Sequence, residues 1–407
     1  MRLFEVPALD LLALILCAFS VLSSIASIVV IIRVAHADRE IPRVRDGDQL
    51  PPARGLLSIV IPAHNEARVI EASVRGLRRQ TRRNFEAIYV LDRCTDNTRS
   101  LLLAAAEGDT RIRIIDNTSC PDDWAGKCNA CRVGAEAATG EWLLFTDADC
   151  RFSEDLIDAM LSIAHAKGTA LLSAVGRLTY KHRFERILQP VASTVLLRVF
   201  PLNKANRDEK RWPFANGQFL LFRRADYDTF GGHAAVREAL LEDLAFARGM
   251  HARGMRLGAV DATRRMEVSM YDSVRAMRSG WTRIFIESYG RRPTKLVRSA
   301  VELFAISTLL PIASLLCVVY GAVGALRGFS AGLPDATTTA ACGAIALLLA
   351  FVAVALMHQR QRAPISSVIL HPFAALIVSW WLLDGARMLR NQIPVRWGGR
   401  SYVLKPQ

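Results

Sequence analysis

Nowhere does this sequence place G-x-G-x-x-G behind a strand-like apolar run, and it has no G-x-x-x-x-G-K-[ST]. A dinucleotide fold and a P-loop are therefore unsupported, since both need such glycines to let backbone N–H groups close on phosphates. Basic residues are not interleaved with aromatics, so a surface for stacking single-stranded bases is missing and no nucleic-acid partner is expected. Zinc spacing is missing too. Cys128 and Cys131 form a C-x-x-C, but neither Cys120 nor Cys150 completes a structural zinc pattern. The eight cysteines read instead as free thiols of a reducing cytoplasm, with Cys17, Cys317 and Cys342 as small hydrophobes in apolar segments. The start, with Arg2 followed by Glu5 and Asp10, lacks the basic region and cleavage site of a signal peptide.

Charge is unevenly spread. Of 407 residues, 52 are Lys or Arg and 38 Asp or Glu, a formal charge of +14. Long stretches near both ends hold almost no charge, and a mixed region lies between them. Leu11 to Ile32 is 22 residues without a charged side chain, about 33 Å as a helix and enough to cross a bilayer. Ala300 to Leu326 and Ala340 to Met357 read as two more spans. Ile365 to Leu383, with His371, Pro372, Trp380 and Trp381, reads as a fourth span or as a re-entrant or interfacial segment. Arg33, Arg39, Arg43 and Arg45 follow the first span, Arg291, Arg292, Lys295 and Arg298 precede the second, and Arg360 and Arg362 follow the third. Positive residues gather on the cytoplasmic side, so the central region is expected there, in a bacterial-type inner membrane. The divisions are an anchor at 1–35, a linker at 36–55, a mixed, charged domain at 56–270, an interfacial helix region at 271–298, membrane segments at 299–386 and a basic tail at 387–407.

Within the central region, apolar runs of strand length alternate with helix-spaced patterns. Leu57 to Ile61, Ala87 to Leu91, Ile112 to Ile115 and Trp142 to Phe145 are the strands. Helices are expected after Asn65, over Leu101 to Ala106 and over Lys127 to Ala138. This predicts an α/β domain with a mostly parallel sheet flanked by helices, and ligands beyond the carboxyl ends of the strands. Asn65, Glu66, Asp92, Asp147 and Asp149 fall at such ends. Asp147 and Asp149, two apart on extended chain, point the same way. Hard cations such as Mg²⁺ or Mn²⁺ take such oxygen ligands and share them with phosphates; a helix N-cap is the simpler reading of the pair. Glu242 and Asp243 suit either the first turn of a helix or a general base. Lys127 suits a phosphate contact or a solvated helix start. Val274, Met277, Trp281, Ile284 and Phe285, among Arg275, Arg278 and Arg283, suit an interfacial helix or one packed on the domain.

Taken together, Ile59-Val-Ile-Pro-Ala-His-Asn-Glu66, Asp92-Arg-Cys-Thr-Asp-Asn-Thr98, Gly126–Lys127, Thr146-Asp-Ala-Asp149, Asn216-Gly-Gln218, Phe230-Gly-Gly232 and Glu242–Asp243 resemble the family 2 glycosyltransferases of GT-A fold. The membrane-bound members that glycosylate lipids, carotenoid and hopanoid-associated ones included, look most similar. The resemblance implies that Pro62, Ala63, Asn65, Glu66 and Asp92 hold the base and ribose of the donor, with Lys127 near its base or phosphates. It implies Asp147 beside ribose and metal, Asp149 as principal metal ligand, Asp243 as catalytic base and Glu242 supporting it. A nucleoside-diphosphate sugar, a UDP-sugar first, would be the donor, Mg²⁺ or Mn²⁺ the cofactor, and one sugar would pass with inversion to a lipid-like acceptor. The alternatives are a processive polysaccharide synthase and a non-catalytic scaffold. Leu91 stands where the second motif commonly has a further aspartate. Met277-Arg-Ser-Gly-Trp281 keeps only the tryptophan of a Gln-x-x-Arg-Trp motif, leaving Arg278 or Arg283 as substitutes. Val395-Arg-Trp-Gly-Gly-Arg-Ser-Tyr402 is similar to a tail expected at the cytoplasmic face.

Overall fold

The computed structural model describes residues 8–206, 212–327 and 334–407. An N-terminal helix, α1 (Ala8–Glu40), leads to the sheet domain. The intervening residues are tied down rather than loose. Val44–Gln49 forms a 3-10 turn whose Asp48 pairs with Arg265, and Arg82 donates to the Ala53 carbonyl. The linker expected over 36–55 is thus part helix and part packed edge.

Four strands follow in parallel, alternating with helices: β1 (Leu57–Ala63), α2 (Ile70–Arg78), β2 (Phe85–Asp92), α3 (Thr98–Ala106), β3 (Ile112–Asn117), α4 (Gly126–Ala137) and β4 (Trp142–Phe145). Their side chains divide by alternation. Ile59 and Ile61 join Tyr89, Leu91 and Leu144 on one face, while Val60, Ile88, Val90, Leu143 and Phe145 fill the other. Both faces are covered by helices, which is why these strands read as unbroken apolar runs.

Next come β5 (Cys150–Phe152), α5 (Leu156–Lys167), β6 (Leu171–Val175) and β7 (Arg177–Leu178). Helices α6 (Arg183–Val199) and α7 (Leu202–Ala205) lead to β8 (Leu220–Arg223), α8 (Arg224–Phe230), α9 (Glu242–Ala252), β9 (Leu257–Asp261) and β10 (Met266–Val268). The main sheet has seven strands in the order β3-β2-β1-β4-β8-β6-β9, with β8 alone antiparallel to its neighbours. It is a mixed sheet with a parallel core, as expected.

The remaining helices are α10 (Val274–Ser288), α11 (Pro293–Phe304), α12 (Leu310–Arg327), α13 (Ala336–Arg360) and α14 (His371–Arg390), with a π-turn at Ala305–Leu309 joining α11 to α12. Among the described residues, four segments are long and apolar enough to cross a membrane: Leu11–His36, Pro293–Arg327, Ala336–Arg360 and Ile365–Arg390. Three of them pack together. Gly321 of α12 lies against the α13 backbone at Ala336 and Ala340, and Gly343 of α13 against the Ser314 carbonyl. Small residues let these backbones approach as membrane helices do. Cys17, Cys317 and Cys342 meet where α1 joins the pair, and all eight cysteines are free.

The fourth segment behaves differently. Just before it, Gln361 donates to Thr194 of α6 and accepts from Tyr180. The Pro372 carbonyl accepts from Thr308, Asp384 pairs with Arg278 of α10, and Gln407 donates to the Arg291 carbonyl. Both ends of the 365–390 segment therefore lie beside the sheet domain. It runs antiparallel to α11, with Pro372 beside Thr308 and the chain end beside Arg291. Helix α10 packs one face against protein. Met277, Trp281 and Phe285 are buried in one cluster with Val378, Trp381 and Leu382 of α14 and Val191 of α6. The open apolar stripe belongs to α14, where Phe373 is 59% and Trp380 50% exposed, with Leu376 and Leu383 between and beyond.

Candidate active site

The carboxyl ends of β1, β2 and β4 face one cavity of about 560 Å³. Two residues there leave their strands at positive φ, Asn65 at 58° and Arg93 at 49°. Both are turns into which only a short or well-held side chain fits without strain. The Asn65 carboxamide oxygen accepts from the backbone and hydroxyl of Thr95, at 2.8 and 3.3 Å, which joins the β1 and β2 loops. Asp92 is buried. Asn117 donates to it at 2.8 Å and Arg93 contacts both of its oxygens. At the end of β4, the Thr146 hydroxyl donates to the Gln218 carbonyl at 2.8 Å, pinning the turn that carries Asp147 and Asp149.

Lys127, in the first turn of α4, is the centre of the charge arrangement. Its ammonium lies 2.6 Å from Asp147 and 2.6 Å from Glu242. Burial works against the charge on Lys127, but the two carboxylates outweigh it and hold its pKa well above the usual lysine value. Burial likewise opposes the charge on Glu242, yet Lys127 and hydrogen bonds bring its pKa below the ordinary glutamate value. Asp243 is arranged otherwise. Its two oxygens accept from the backbone N–H groups of Gly217 and Leu244, each at 2.7 Å. Burial and the neighbouring Glu242 charge nevertheless raise its pKa to about 7. Gly217 is closely packed: a Cβ there would sit 3.0 Å from the Lys127 ammonium and 3.1 Å from Glu242, so these side chains would have to give by a few tenths of an ångström.

Glu66, Asp147 and Asp149 face a cavity that Asp92, Glu242, Asp243 and Asp261 also line, against the cations Arg93, Lys127, Arg283 and Arg360. Burial and then the Asp147 charge raise Glu66 to about 7. Asp149 is pushed well above its ordinary value by burial and then by Asp147 and Glu66. Among the described residues its carboxylate accepts a hydrogen bond only from the Cys150 thiol, at 3.7 Å. The site is short of positive charge, which a divalent cation would supply. Among the described residues, no cluster of three or more metal-ligating side chains forms. A cation held by Asp149 and Asp147 would complete its shell with phosphate oxygens and water, as Mg²⁺ does. The donor set fits that group.

One wall of the cavity comes from the other end of the chain. Behind α14, β11 (Val395–Trp397) and β12 (Arg400–Tyr402) form a hairpin whose Trp397, Gly398 and Gly399 line the cavity. Arg400 latches it, donating to the carbonyls of Cys120, Pro121 and Trp124 at 2.7 to 3.1 Å. The Arg283 guanidinium lies over the Trp397 ring, 4.7 Å from its centre.

Of the residues singled out in the sequence, Pro62, Ala63, Glu66, Asp92, Lys127, Asp147, Asp149, Glu242 and Asp243 all line this cavity; Asn65 does not. Between the two arginines offered as phosphate contacts, Arg283 lines it, whereas Arg278 is spent on Asp384 and the Trp380 ring. Sequence reasoning missed Tyr271 and His64. Among the described residues, the Tyr271 hydroxyl and the Trp281 indole N–H, in residues that line the cavity, are buried without partners. Periodicity gave no signal for Tyr271, which follows a strand edge and precedes the helix.

The site thus combines a mixed α/β sheet, acidic residues at its strand ends and a buried lysine between two of them. Residues 58–231 match the family model Glycosyl transferase family 2, so the chain carries a domain of that family. Among curated relatives, glycosyltransferase GlyG of Streptococcus pneumoniae is 29% identical over 105 residues, 26% of this chain and 34% of that one. The 4,4'-diaponeurosporenoate glycosyltransferase of Staphylococcus haemolyticus is 23% identical over 232 residues, 56% of this chain and 60% of its own. An Escherichia coli glucosyltransferase acting from UDP-Glc on α-D-GlcNAc-diphosphoundecaprenol is 28% identical over 108 residues, 26% of this chain and 40% of its own. The chain thus spans between about a third and three fifths of the length of these relatives. A mannosyltransferase from Pyrobaculum calidifontis, solved with GDP-Man and Mn²⁺, is 19% identical, with a TM-score of 0.47 over 90% of this chain and 99% of that one. A likeness of that size transfers no residue roles.

Proposed function

We propose that the protein is an inverting glycosyltransferase that moves one sugar from a nucleoside-diphosphate sugar to a lipid-like acceptor at the membrane surface. The observation that carries this is a single cavity lined at once by Asp92, Asp147, Asp149 and Asp243 and continuing to apolar side chains next to the membrane helices. Asp92, with Pro62, Ala63 and Glu66, would hold the nucleoside. Asp149 and Asp147 would hold a divalent cation, which when bound neutralises the diphosphate and its departing charge. Lys127 keeps Asp147 and Glu242 in place and stands ready to move toward phosphate oxygens. Asp243 accepts the proton of the acceptor hydroxyl; that oxygen bonds to the anomeric carbon as the bond to the diphosphate breaks, and the nucleoside diphosphate leaves. Two backbone N–H groups aim the Asp243 carboxylate, as a general base requires.

The names of two relatives support a membrane acceptor, one a carotenoid acid and the other a diphosphoundecaprenol-linked sugar. A uridine nucleotide is the first donor to test. The arginines gathered where the spans meet the sheet domain support a cytoplasmic catalytic side, in a bacterial-type inner membrane.

The test incubates the purified full chain with a panel of nucleotide sugars and a lipid extract, with and without Mn²⁺, and identifies products by mass. One added hexose on a lipid, lost on chelation and restored by Mn²⁺, is expected; a long glycan or no donor consumption would overturn the proposal. Asp243→Asn should lower kcat by about a hundredfold to ten-thousandfold, the span of one general base, while nucleotide binding stays within about twofold.

A further inference from the structure

The cations of the cavity are not equally engaged. Arg93 contacts Asp92, and Lys127 is shared between Asp147 and Glu242. Arg360 has an interaction of its own within the protein. Arg283, from α10, meets no carboxylate among the described residues. Its Nη1 donates to the Leu240 carbonyl at 2.8 Å, and its guanidinium lies over the Trp397 ring, 4.7 Å from the centre. Leu240 and Trp397 both line the cavity, as Arg283 does, so the charged end stands at the cavity wall. An arginine has five N–H donors, and stacking on an aromatic face consumes none of them. One goes to Leu240; among the described residues the others have no protein partner. The charge also lies close to the acidic turn after β4. Burial raises the Asp147 pKa, and of the cations opposing this Lys127 acts most and Arg283 after it. A half-buried guanidinium with an open fork and an unpaired charge suits an oxyanion, and that fork matches phosphate oxygens.

What holds Arg283 there comes from the other end of the chain. Trp397 belongs to the hairpin that Arg400 ties to the carbonyls of Cys120, Pro121 and Trp124. In the same hairpin the Tyr402 hydroxyl accepts from the Gly126 N–H at 3.4 Å, one residue before Lys127. One hairpin therefore braces both the start of α4 and the Arg283 side chain.

We propose that Arg283 binds the donor's diphosphate through its open N–H edge, and that Trp397 is the positioning residue that aims it. The C-terminal hairpin is then part of the diphosphate site. An aromatic face fixes the guanidinium plane while leaving its charge and its donors available, whereas a carboxylate partner would take up both. This rests on the transferase reading, which supplies the diphosphate.

The test titrates UDP, GDP, ADP and CDP, each with Mn²⁺, into the purified full chain in detergent, and carries forward the one that binds the parent most tightly. Arg283→Gln should weaken that nucleoside diphosphate about tenfold or more, on the scale of a lost charged hydrogen bond, while its free nucleoside changes by less than about twofold. Trp397→Leu should weaken it about threefold to tenfold, the scale of a lost cation–π contact. Trp397→Phe keeps an aromatic face and should recover most of that loss. In an Arg283→Gln background Trp397→Leu should cost little more, because residues acting as a unit are coupled and their effects do not add. Equal losses in both backgrounds would overturn the positioning role, and unchanged binding in Arg283→Gln would overturn the site. Asp149→Asn is titrated in parallel. If no nucleoside diphosphate binds the parent, or Asp149→Asn binds it like the parent, the transferase reading falls. If Asp149→Asn loses binding and Arg283→Gln keeps it, this inference falls alone.

Discussion

At Lys127 two carboxylates from distant parts of the chain, Asp147 and Glu242, meet one ammonium, each at 2.6 Å. Removing one partner of a buried ionic cluster leaves charge uncompensated and costs on the order of 3–5 kcal/mol. Lys127→Met should therefore lower the thermal midpoint by several degrees besides removing turnover, which calorimetry on the purified chain would show. Asp243 gives a second prediction. With its pKa near 7, the base is protonated as pH falls through that value, so kcat/KM should fall about tenfold per pH unit below it. Stability moves the other way. Glu66 and Asp243 are both raised to about 7 from ordinary values of 4.5 and 3.8. Between those limits the folded state binds more protons than the unfolded one, and stability declines as pH rises from about 4 to 7. Metal-free protein should accordingly melt higher at pH 5.5 than at pH 8; the reverse order would show that these carboxylates are not buried as charges.

Among the elements, the C-terminal hairpin has the clearest separable role. It is short, and Arg400 holds it through three backbone carbonyls on the loop before α4. Releasing that latch should loosen the wall made by Trp397 to Gly399 without disturbing the sheet. Arg400→Ala is expected to raise KM for the donor by about fivefold to tenfold with kcat changed less, because charged hydrogen bonds of this kind contribute about 1.5–3 kcal/mol and part of that orders the wall. A steady-state comparison of KM and kcat checks this. Helix α10 shows how context overrides pattern. Its apolar residues have the spacing of a surface-seeking helix, but α6 and α14 cover Met277, Trp281 and Phe285, and burial against protein satisfies the same face.

For the whole molecule, the fold implies that the hairpin and the sheet domain share one side of the bilayer. A tag after Gln407 and a tag in an exposed loop of the domain should be cleaved or labelled from the same face of sealed vesicles. Labelling from opposite faces would show that the 365–390 segment crosses. Such a crossing would also carry Arg400 away from the carbonyls that it binds.

The sequence alone determined the strands, because burial on both faces makes β1, β2 and β4 continuous apolar runs whatever surrounds them. It also placed Asp92, Asp147 and Asp149 at strand ends, since ligand positions in a parallel sheet follow from chain direction. Only the tertiary structure decided what closes the site. Glu242 and Asp243 are adjacent in sequence, yet one is neutralised by Lys127 and the other is aimed by Gly217 and Leu244. The Asn65 carboxamide took the Thr95 loop as its partner, the apolar face of α10 met protein, and α14 packed antiparallel to α11. Each of these depends on a contact between residues far apart in the chain. Local periodicity fixes which face of an element is apolar, but not which neighbour, lipid or protein, covers it.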